Sequence, residues 1–490
     1  MAYDYDVIVI GGGAAGLTAS GMAANFGAKT LMLERHRLGG DCTWTGCVPS
    51  KAILKAAKVA HHVREANAYG LTDHPVEVDF ARVMQRVHHI RDEVYEDADR
   101  PEIYTNMGVD VMEAEASFVD DHTLALKTSE GTKRLSSRFI VIAAGASAFV
   151  PPIEGIQDTP HLTNESLFEI DTLPKRFAIV GGGPIGTEMS QAFNRLGSEV
   201  YVLERGAQIM GNDDTELAGM LQSRLAKEGV NYVLNASVQQ LSKSVGGVTL
   251  AYKSGEETKK LEVDQVLLAT GRRPNVAGLN LEAAGVTYTT RGIPVNEKCR
   301  TNRRHIYAIG DIAGRYQFTH MSEHMAKVAV TNMLLKVPMK IDMKHVPWVT
   351  YTDPELGHVG ATQKELKEKG INYEVYAFPY TKVDRAVTES ETTGMIKVYA
   401  KKFNGKILGV DVLGTSAGEL ISEYGLAMRN GLTLRHMADT IHAYPTYGLG
   451  ARRAADQWYV RKQSAGLVKF LKFIFRYRGP VNEYVPGTIV

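Results

Sequence analysis

The stretch YDVIVIGGGAAG at residues 5–16 decides the fold of this 490-residue chain. A short apolar segment runs directly into a glycine cluster, and small residues continue to about Asn25. A second predicted strand, residues 29–33, ends at Glu34. This order of strand, glycine turn, helix, strand and acid is typical of a dinucleotide-binding βαβ unit, because glycines let a pyrophosphate approach the helix N-terminus. The residues expected to hold this dinucleotide are Gly11, Gly13, Gly16 and Glu34.

The same pattern occurs a second time, further along the chain. The strand FAIV at residues 177–180 leads into GGGPIG at residues 181–186, and a strand at residues 200–203 ends at Glu204. In both copies the acid follows the last glycine of the loop by 18 residues. Two copies with equal spacing predict two bound dinucleotides. The residues expected to hold the second one are Gly181, Gly183, Gly186 and Glu204.

A pair of cysteines lies in GGDCTWTGCVPSK, residues 39–51, with four residues between Cys42 and Cys47. A short turn can bring two cysteine Cα atoms within the roughly 7 Å that a disulfide needs. A helical stretch follows from Lys51 to about Glu65, and the positive end of its dipole favours a thiolate at Cys47. The segment therefore predicts a redox-active pair rather than two structural cysteines.

Together these motifs resemble the pyridine nucleotide-disulphide oxidoreductase family, which includes dihydrolipoamide dehydrogenases, glutathione reductases and mercuric reductases. The resemblance covers roughly residues 4–462 and extends to three further motifs, AAG at 143–145, ATGRRPN at 269–275 and AIGD at 308–311. It implies an α/β fold with two Rossmann-like dinucleotide-binding domains, one for FAD and one for NAD(P), and a C-terminal α+β dimerisation domain. It also implies a homodimer.

The resemblance implies a role for individual residues as well. The N-terminal glycine loop would hold FAD, and the second loop would hold the nicotinamide dinucleotide. Cys47 would be the thiol that faces the flavin, and Cys42 the thiol that attacks the acceptor. Lys51 and Glu188 would pair beside the flavin ring. The remaining implied cofactor contacts are Gly145 and Asp311 toward FAD and Gly271 toward NAD.

Changes in the sequence pattern set the predicted domain boundaries. The pair Pro151-Pro152 closes the first domain, because proline cannot continue a sheet ladder. From Val346 the pattern changes to alternating strands and helices. The expected domains are FAD-binding at residues 1–152 and 276–345, NAD(P)-binding at 153–275, dimerisation at 346–462 and a basic tail at 463–490.

Composition excludes several classes of protein. A net charge of +1 gives no basis for nucleic-acid binding. Three cysteines in 490 residues do not build a disulfide framework and suit a reducing compartment, and Cys299 is predicted to be an incidental thiol in a polar strand. The first strand begins by residue 5, which leaves no room for a signal peptide, and no apolar run reaches about 18 residues. A cytoplasmic enzyme without a resident metal is expected.

The second acid indicates which nicotinamide is used. Glu204 would accept hydrogen bonds from the 2′- and 3′-hydroxyls of NAD and would repel the 2′-phosphate of NADP. Arg205, the next residue, would soften that preference if it faced the phosphate. NADH is therefore the expected electron donor, with NADPH as the alternative.

The segment IHAYPTYGLG, residues 441–450, differs from the disulphide-reducing members of the family. Those members carry a His-Pro pair whose histidine, from the partner subunit, is the acid and base for thiol exchange, with a glutamate five residues later. Aligned on Pro445, the histidine is replaced by Tyr444 and the glutamate by Leu449, while His442 is expected to be structural. Tyrosine has an ordinary pKa of about 10 and is a poor base near neutral pH.

This replacement favours an acceptor that needs no proton on a leaving thiolate. A metal ion held by two thiolates is such an acceptor, and mercuric reductases also lack this histidine and have tyrosine nearby. The C-terminal cysteine pair of mercuric reductases is absent here, since no cysteine follows Cys299. The sequence therefore favours a mercuric-reductase-like enzyme acting on a metal ion or small electrophile. A dihydrolipoamide-dehydrogenase-like enzyme and a non-catalytic flavoprotein scaffold are the alternatives.

The tail contains an unusual basic and aromatic segment, LVKFLKFIFRYR at residues 467–478. Lys469, Lys472 and Arg476 fall on one helical face, with aromatic and aliphatic residues around the rest. A segment of this kind can lie on an anionic membrane surface, or it can pack on the dimer with its basic face in water. The first hypothesis predicts a weak contact with the inner face of the membrane through residues 467–478.

Overall fold

The computed structural model describes residues 3–72, 75–314 and 316–481 of the chain. Residues 482–490 of the predicted tail lie outside the described residues. The chain forms two compact units, the first of Met1–Arg205 with Val230–Asp342 and the second of Gly206–Gly229 with Met343–Val490. None of the helices in the described ranges has both the length and the apolar character that crossing a membrane requires.

The described residues form 21 β-strands. In chain order they are β1 (Tyr5–Ile10), β2 (Thr30–Glu34), β3 (Val109–Glu113), β4 (Glu115–Phe118), β5 (Thr123–Thr128), β6 (Gly131–Ile142), β7 (Ala146–Ala148), β8 (Arg176–Val180), β9 (Glu199–Leu203), β10 (Asn231–Val233), β11 (Ala236–Ser244), β12 (Gly247–Ser254), β13 (Glu257–Val263), β14 (Gln265–Leu268), β15 (Arg272–Pro274), β16 (Ile306–Ala308), β17 (Pro347–Thr350), β18 (Glu355–Gly360), β19 (Glu374–Pro379), β20 (Met395–Ala400) and β21 (Ile407–Gly414).

The described residues form 15 α-helices, and the last four of them follow the final strand. In chain order they are α1 (Ala14–Asn25), α2 (Gly40–Trp44), α3 (Cys47–Arg64), α4 (Phe80–Val94), α5 (Pro101–Asn106), α6 (Asn164–Leu167), α7 (Pro184–Leu196), α8 (Thr215–Glu228), α9 (Thr319–Val330), α10 (Gln363–Glu368), α11 (Asp384–Thr388), α12 (Ala417–Arg429), α13 (Leu434–Asp439), α14 (Tyr447–Lys462) and α15 (Ala465–Phe475).

The first unit contains the two expected Rossmann-like sheets. In the first sheet β3, β2, β1, β6 and β16 are neighbours in that order and all parallel, while the other half of the long strand β6 continues antiparallel into β5 and β4. The second sheet has the parallel order β10-β9-β8-β14, beside the antiparallel sheet β11-β12-β13. Val7, Ile8 and Val9 of β1 are fully buried, as expected for a parallel strand covered on both faces. The predicted α/β class is confirmed.

The second unit is built on one antiparallel sheet of order β17-β18-β21-β20-β19. Alternate residues of β20 and β21 point to opposite faces of this sheet. Ile396, Val398, Val410 and Val412 belong to an apolar core with α12 and α14. The residues between them are polar and face α8, so the two faces of one sheet carry different chemistry.

The polar face of this sheet holds a buried network. Lys397 donates to both carboxylate oxygens of Asp214 at 2.8 and 2.7 Å, and Tyr399 donates to Asp214 at 2.8 Å and to Asp411 at 2.6 Å. His358 contacts Asp411 through Nδ1 at 2.6 Å and the carbonyl oxygen of Gly360 through Nε2 at 3.0 Å. Both His358 nitrogens therefore face acceptors, which matches a protonated ring.

In this network, charge pairing changes the pKa values of His358 and Lys397 more than burial does. Burial opposes the charge on His358, but the Asp411 carboxylate raises the pKa of the imidazole above its ordinary value. In the same way, burial opposes the charge on Lys397, and Asp214 nevertheless raises the pKa of the ammonium. Asp214 also caps α8 by accepting from the backbone N–H groups of Glu216 and Leu217. The network thus attaches α8 to the sheet of the second unit.

Replacing Lys397 with methionine should destabilise the second unit by about 3–5 kcal/mol, because removing one partner leaves the buried Asp214 carboxylate without its counter-charge. The measurement is the thermal unfolding midpoint of the holoenzyme. Lys402→Met is the matched control, since that exposed lysine should contribute no more than about 0.5 kcal/mol. The pKa of Asp214 is lowered in the folded protein, so the loss should shrink as the pH falls below the ordinary aspartate value of 3.8. Equal midpoints for the two variants would contradict the prediction.

The surroundings of Cys299 differ from the polar strand that the sequence predicts. Cys299 lies in a turn with φ 61°, is fully buried, and points its sulfur at the carbonyl oxygen of Met325 at 3.4 Å. The side chain of Asn296 accepts from the backbone N–H groups of Lys298 and Arg300 and closes this turn. Asparagine favours such side-chain-closed turns over strands, which accounts for the difference.

Candidate functional site

The first glycine loop joins the end of β1 to the start of α1. A Cβ atom on Gly16 would lie 1.8 Å from the carbonyl oxygen of Gly11, so the helix packs directly on the loop and no side chain fits there. Glu34, the last residue of β2, accepts a hydrogen bond from the backbone N–H of Gly12 at 2.7 Å. The acid is thereby held beside the loop, and its contact with a dinucleotide stays a prediction.

The second glycine loop repeats this geometry in the second sheet. A Cβ atom on Gly186 would lie 1.9 Å from the carbonyl oxygen of Gly181. Glu204, which directly follows β9, accepts from the backbone N–H of Gly182 at 2.7 Å. The sequence duplication is therefore a duplication of local structure.

Both loops leave room in front of the helix that follows. A Cβ atom on Gly13 would come no closer than 3.7 Å to its nearest neighbour, the Cα of Gly40, and one on Gly183 would meet nothing within 4 Å. The first N–H groups of an α-helix have no intrahelical acceptor and carry the positive end of its dipole. The residues present thus fit a dinucleotide pyrophosphate at each loop.

The cysteine pair spans the junction of two helices. Cys42 lies in α2, and Cys47 is the first residue of α3, at the positive end of that helix. The sulfur of Cys47 is 3.3 Å from the hydroxyl oxygen of Thr319, the first residue of α9. Cys47 is the more exposed side chain of the two.

The two thiols differ in acidity. A hydrogen bond from the Cys42 thiol lowers the pKa of Cys47 to about 6 against the opposing effect of burial, and the Thr319 hydroxyl and the Lys51 charge lower it further. The same pairing, together with burial, raises the pKa of Cys42. The reduced pair therefore carries its thiolate on Cys47 at neutral pH, and the thiolate is the reactive form of cysteine.

An ion pair lies next to the cysteine helix. Lys51 in α3 donates from Nζ to the Glu188 carboxylate in α7 at 3.1 and 3.4 Å. Glu188 is almost fully buried, while Lys51 is partly exposed. Since α3 belongs to the first nucleotide fold and α7 to the second, this pair joins the two predicted cofactor sites.

A charged cluster surrounds the predicted flavin contact Asp311. Arg272 lies 3.3 Å from the Asp311 carboxylate, contacts Asp41 of the cysteine motif, and donates to the carbonyl oxygen of Ala146 at 2.7 Å. Burial raises the pKa of Asp311 although Arg272 opposes that shift. Gly145 and Gly271 both have positive φ, and they directly precede β7 and β15, which pair with each other. Gly271 is therefore the neighbour of Arg272, and Gly145 is the neighbour of Ala146, whose carbonyl oxygen Arg272 contacts.

In the second unit, Tyr444 and His442 have different surroundings. In the isolated protomer Tyr444 is 70% exposed. His442 is nearly buried, with Nε2 3.0 Å from the Glu423 carboxylate and Nδ1 2.9 Å from the carbonyl oxygen of Thr440. Both ring nitrogens of His442 therefore have partners, and the ring is anchored to α12. Leu449 lies in the first turn of α14 and offers no charge to orient a base.

Tyr447, which begins α14, is also engaged. Its hydroxyl donates to the Glu389 carboxylate at 2.6 Å, and burial and this carboxylate both raise the pKa of the phenol. A phenol with a raised pKa stays protonated near neutrality, so Tyr447 is a hydrogen-bond donor rather than a base.

One group of metal-ligating residues lies within the first unit, formed by Asp121, His122 and His305. The two imidazoles stack with their centroids 3.9 Å apart and their planes 11° apart. His122 Nδ1 contacts the carbonyl oxygen of Ser137, and His305 Nε2 that of Asp121, each at 2.7 Å. Nitrogen lone pairs lie in the ring planes, so stacked rings direct them side by side rather than toward one point, and we interpret the group as structural.

Some residues around the site have no local signal in the sequence. Thr319 contacts Cys47 from 272 residues away, and Arg272 reaches Asp41 from 231 residues away. Threonine and aspartate at such positions look like ordinary surface residues. Arg272 lies in the ATGRRPN motif, and this motif is the one signal that marks it.

Comparison with known proteins agrees with this geometry. Residues 5–326 match the family model described as pyridine nucleotide-disulphide oxidoreductase, and residues 346–454 match the dimerisation domain of that family. The chain is 34% identical to a mercuric reductase from Lysinibacillus sphaericus, over 92% of this chain and 82% of the relative. It is 31% identical to a dihydrolipoyl dehydrogenase from Geobacillus stearothermophilus, over 93% of this chain and 96% of the relative.

Solved structures show the same likeness. The Cu(II) complex of the HOCl-induced flavoprotein disulfide reductase RclA from Escherichia coli superposes with a TM-score of 0.84, at 28% identity, over 94% of this chain and all of that chain. LpdA from Mycobacterium tuberculosis gives a TM-score of 0.85 at 25% identity, over 92% of this chain and 99% of that one. These matches span both units of the chain and both of its nucleotide folds. The chain therefore belongs to the pyridine nucleotide-disulphide oxidoreductase family, whose members are enzymes that use FAD and NAD(P)H.

Proposed function

We propose that this enzyme passes electrons from NADH through the Cys42–Cys47 pair to a metal ion or another small electrophile, as a mercuric-reductase-like oxidoreductase. The observation that carries the proposal is the surroundings of Tyr444 and His442 in the second unit. An exposed Tyr444 stands where disulphide-reducing relatives have their histidine, and both nitrogens of the nearby His442 are already bonded. A site without a free base suits an acceptor that needs no proton.

The side chains of the first unit supply what this reaction needs. FAD, when bound, carries the electron pair from the nicotinamide to the sulfurs. One NADH and one proton convert the Cys42–Cys47 disulphide into two thiols, and two electrons likewise convert a mercuric ion into the metal. Thiolates are strong ligands for soft metal ions. Cys47 supplies the thiolate at neutral pH, and Lys51 and Glu188 form an ion pair beside it.

The second candidate is dihydrolipoamide oxidation or lipoamide reduction. Its support is the likeness to dihydrolipoyl dehydrogenases, which cover the chain as fully as the mercuric reductases do. The scaffold hypothesis has no support, because the family consists of enzymes and the cysteine pair and both nucleotide loops are intact.

The test is anaerobic NADH turnover by the holoenzyme with a panel of acceptors. The panel contains mercuric ion, cupric ion, lipoamide, glutathione disulphide and a quinone. We expect mercuric or cupric ion to be reduced faster than either disulphide. Lipoamide turnover above that of every metal ion would establish the second candidate instead.

We propose the predicted domain boundaries, with both nucleotide loops in the first unit; residues 206–229 of the NAD(P)-binding domain belong to the second unit. The dimerisation-domain match supports a homodimer. With a single redox pair and one fully buried further thiol, we propose a reducing, cytoplasmic setting, with a weak contact between residues 467–478 and the inner face of the membrane.

Glu204 should set the preference for NADH. Its carboxylate is held beside the second glycine loop, where a 2′-phosphate would meet like charge. Glu204→Ala should therefore narrow the ratio of kcat/KM for NADH over NADPH by about 100-fold, the size expected from removing one like-charge contact of a few kcal/mol. Glu34→Ala in the first loop is the control and should leave this ratio unchanged. A parent enzyme that already prefers NADPH would contradict the assignment.

A further inference from the structure

We propose that α15 and the turn between β20 and β21, residues 401–406, form one docking surface for an anionic lipid bilayer. We call these two segments the basic aromatic surface. The proposal does not depend on which acceptor the enzyme reduces, because it concerns binding and not turnover.

The helix α15 presents an apolar face to solvent. Leu467, Phe470, Phe473 and Ile474 follow the spacing that places side chains on one side of a helix, and all four are exposed, Phe473 to 85%. No residue of α15 is buried. Single exposed apolar residues are ordinary on protein surfaces, but a contiguous set on one face marks an interaction site.

A second apolar projection lies close to the start of this helix. Phe403 is 92% exposed in the turn between β20 and β21. The turn is tied to the end of α14, since Lys462 donates to the carbonyl oxygen of Phe403 and Trp458 to that of Lys402, each at 3.1 Å. Lys462 is the last residue of α14 and α15 begins at Ala465, so the turn and the helix belong to one region of the second unit.

Charge in this region is strongly positive although the chain as a whole carries only +1. No acidic residue occurs from residue 457 to residue 481. From outside this range, Glu374 lies 3.2 Å from Lys402 and 3.9 Å from Arg461, and Asp439 accepts a hydrogen bond from the Tyr459 hydroxyl at 3.0 Å. The basic residues are Arg461, Lys462, Lys469, Lys472, Arg476 and Arg478, with Lys401, Lys402 and Lys406 in the turn. The complementary partner is therefore an anionic surface.

Exposed apolar side chains next to basic ones favour a bilayer over a protein as the partner of this surface. Aromatic and aliphatic side chains flanked by lysine and arginine suit the boundary between lipid headgroups and acyl chains, where apolar groups insert and cations meet anionic lipids. At about 1.5 Å per residue, an 11-residue helix is about 16 Å long and too short to span the roughly 30 Å hydrocarbon core. The helix thus fits the interface, lying along the surface.

The test is co-sedimentation of the full-length holoenzyme with vesicles of phosphatidylcholine alone or mixed with phosphatidylglycerol, at low and at physiological salt. We expect binding to the anionic vesicles that weakens as salt rises, because salt screens the charges. With Trp introduced as Phe473→Trp, brominated lipids should quench its fluorescence if the side chain enters the acyl boundary.

Two double variants separate the apolar from the charged contribution. Phe470→Ser with Phe473→Ser should lower the partition coefficient by about 100-fold, as two apolar side chains no longer insert. Lys469→Gln with Lys472→Gln should lower it by about 30-fold on anionic vesicles, at about five-fold per cation. Matched controls on the first unit are Val245→Ser and Lys259→Gln with Lys260→Gln, all exposed, which should bind like the parent. FAD content and circular dichroism confirm that each variant folds.

Equal partition of parent and Phe470→Ser/Phe473→Ser protein would overturn the proposal, as would equal binding to neutral and anionic vesicles. If instead these variants change the mass of the lipid-free enzyme by light scattering while vesicle binding stays absent, a second copy of the chain covers the surface and the bilayer is excluded.

Discussion

Replacing Cys47 with serine should abolish acceptor reduction and remove the long-wavelength thiolate-to-flavin absorbance, while FAD remains bound. The expected loss of turnover is about 10⁴-fold or more, the order seen when a nucleophile is removed from other enzymes. The reason is that Cys47 carries the thiolate, at the start of α3 and beside the Thr319 hydroxyl. The measurements are anaerobic NADH titration followed by absorbance and steady-state turnover with mercuric ion.

The pH dependence of this absorbance follows from the lowered pKa of Cys47, about 6. The thiolate is present above this pH and becomes protonated as the pH falls through it. The band of the reduced parent enzyme should therefore be full at pH 8 and lost with a midpoint of about 6.

Two variants serve as comparisons for Cys47→Ser. Cys299→Ser, in a buried thiol outside the redox pair, should keep both band and turnover. Cys42→Ser should keep the band, since the thiolate stays on Cys47, but should lose acceptor reduction. A band that survives Cys47→Ser and disappears only in Cys42→Ser would reverse the two roles.

Lipoamide reduction by the parent enzyme should be about 10²–10⁴-fold slower than reduction of its FAD by NADH. This factor is the usual contribution of general acid–base catalysis to a rate, about 10²–10⁴-fold. Residue 444 is a tyrosine rather than a histidine, and Leu449 has no charge to orient a base. Tyr444→His together with Leu449→Glu should recover part of the deficit. Stopped-flow absorbance gives the FAD step, and steady-state assay with lipoamide gives the other.

The recovery should be partial for a geometric reason. The neighbouring side chains are not arranged to position a His–Glu pair, and a misplacement of about 1 Å can cost about 10²-fold in rate. The variant should still fold, because a glutamate in the first turn of α14 is favoured by the helix dipole.

The control for this variant is Tyr444→Phe, which adds no base and should recover nothing. The step from NADH to FAD should be the same in all three proteins. A parent enzyme that reduces lipoamide as fast as its FAD is reduced would contradict the argument from the missing histidine, and the dihydrolipoamide-dehydrogenase-like function would then be preferred.

Much of the fold is readable from the sequence because it depends on short local patterns. The strand β1 has the bounds predicted for it, Tyr5–Ile10, since an apolar run is ended sharply by glycines. The two loops carry glycines where a Cβ atom would strike the backbone, and this requirement leaves a fixed spacing in the sequence. The cysteine pair lies at the start of a helix, which is likewise a local property.

The remaining features depend on side chains that meet across long stretches of chain. Thr319 reaches Cys47, Lys397 pairs with Asp214, and Glu423 engages His442, and no periodicity in the sequence encodes such pairs. The helix α8 follows the second nucleotide loop in sequence, yet the buried Lys397–Asp214 pair attaches it to the sheet of the second unit. Local patterns specify which elements form and where a phosphate binds. Packing determines which distant charges and hydroxyls surround these elements, because a buried polar group must form a hydrogen bond with a partner that the fold brings near it.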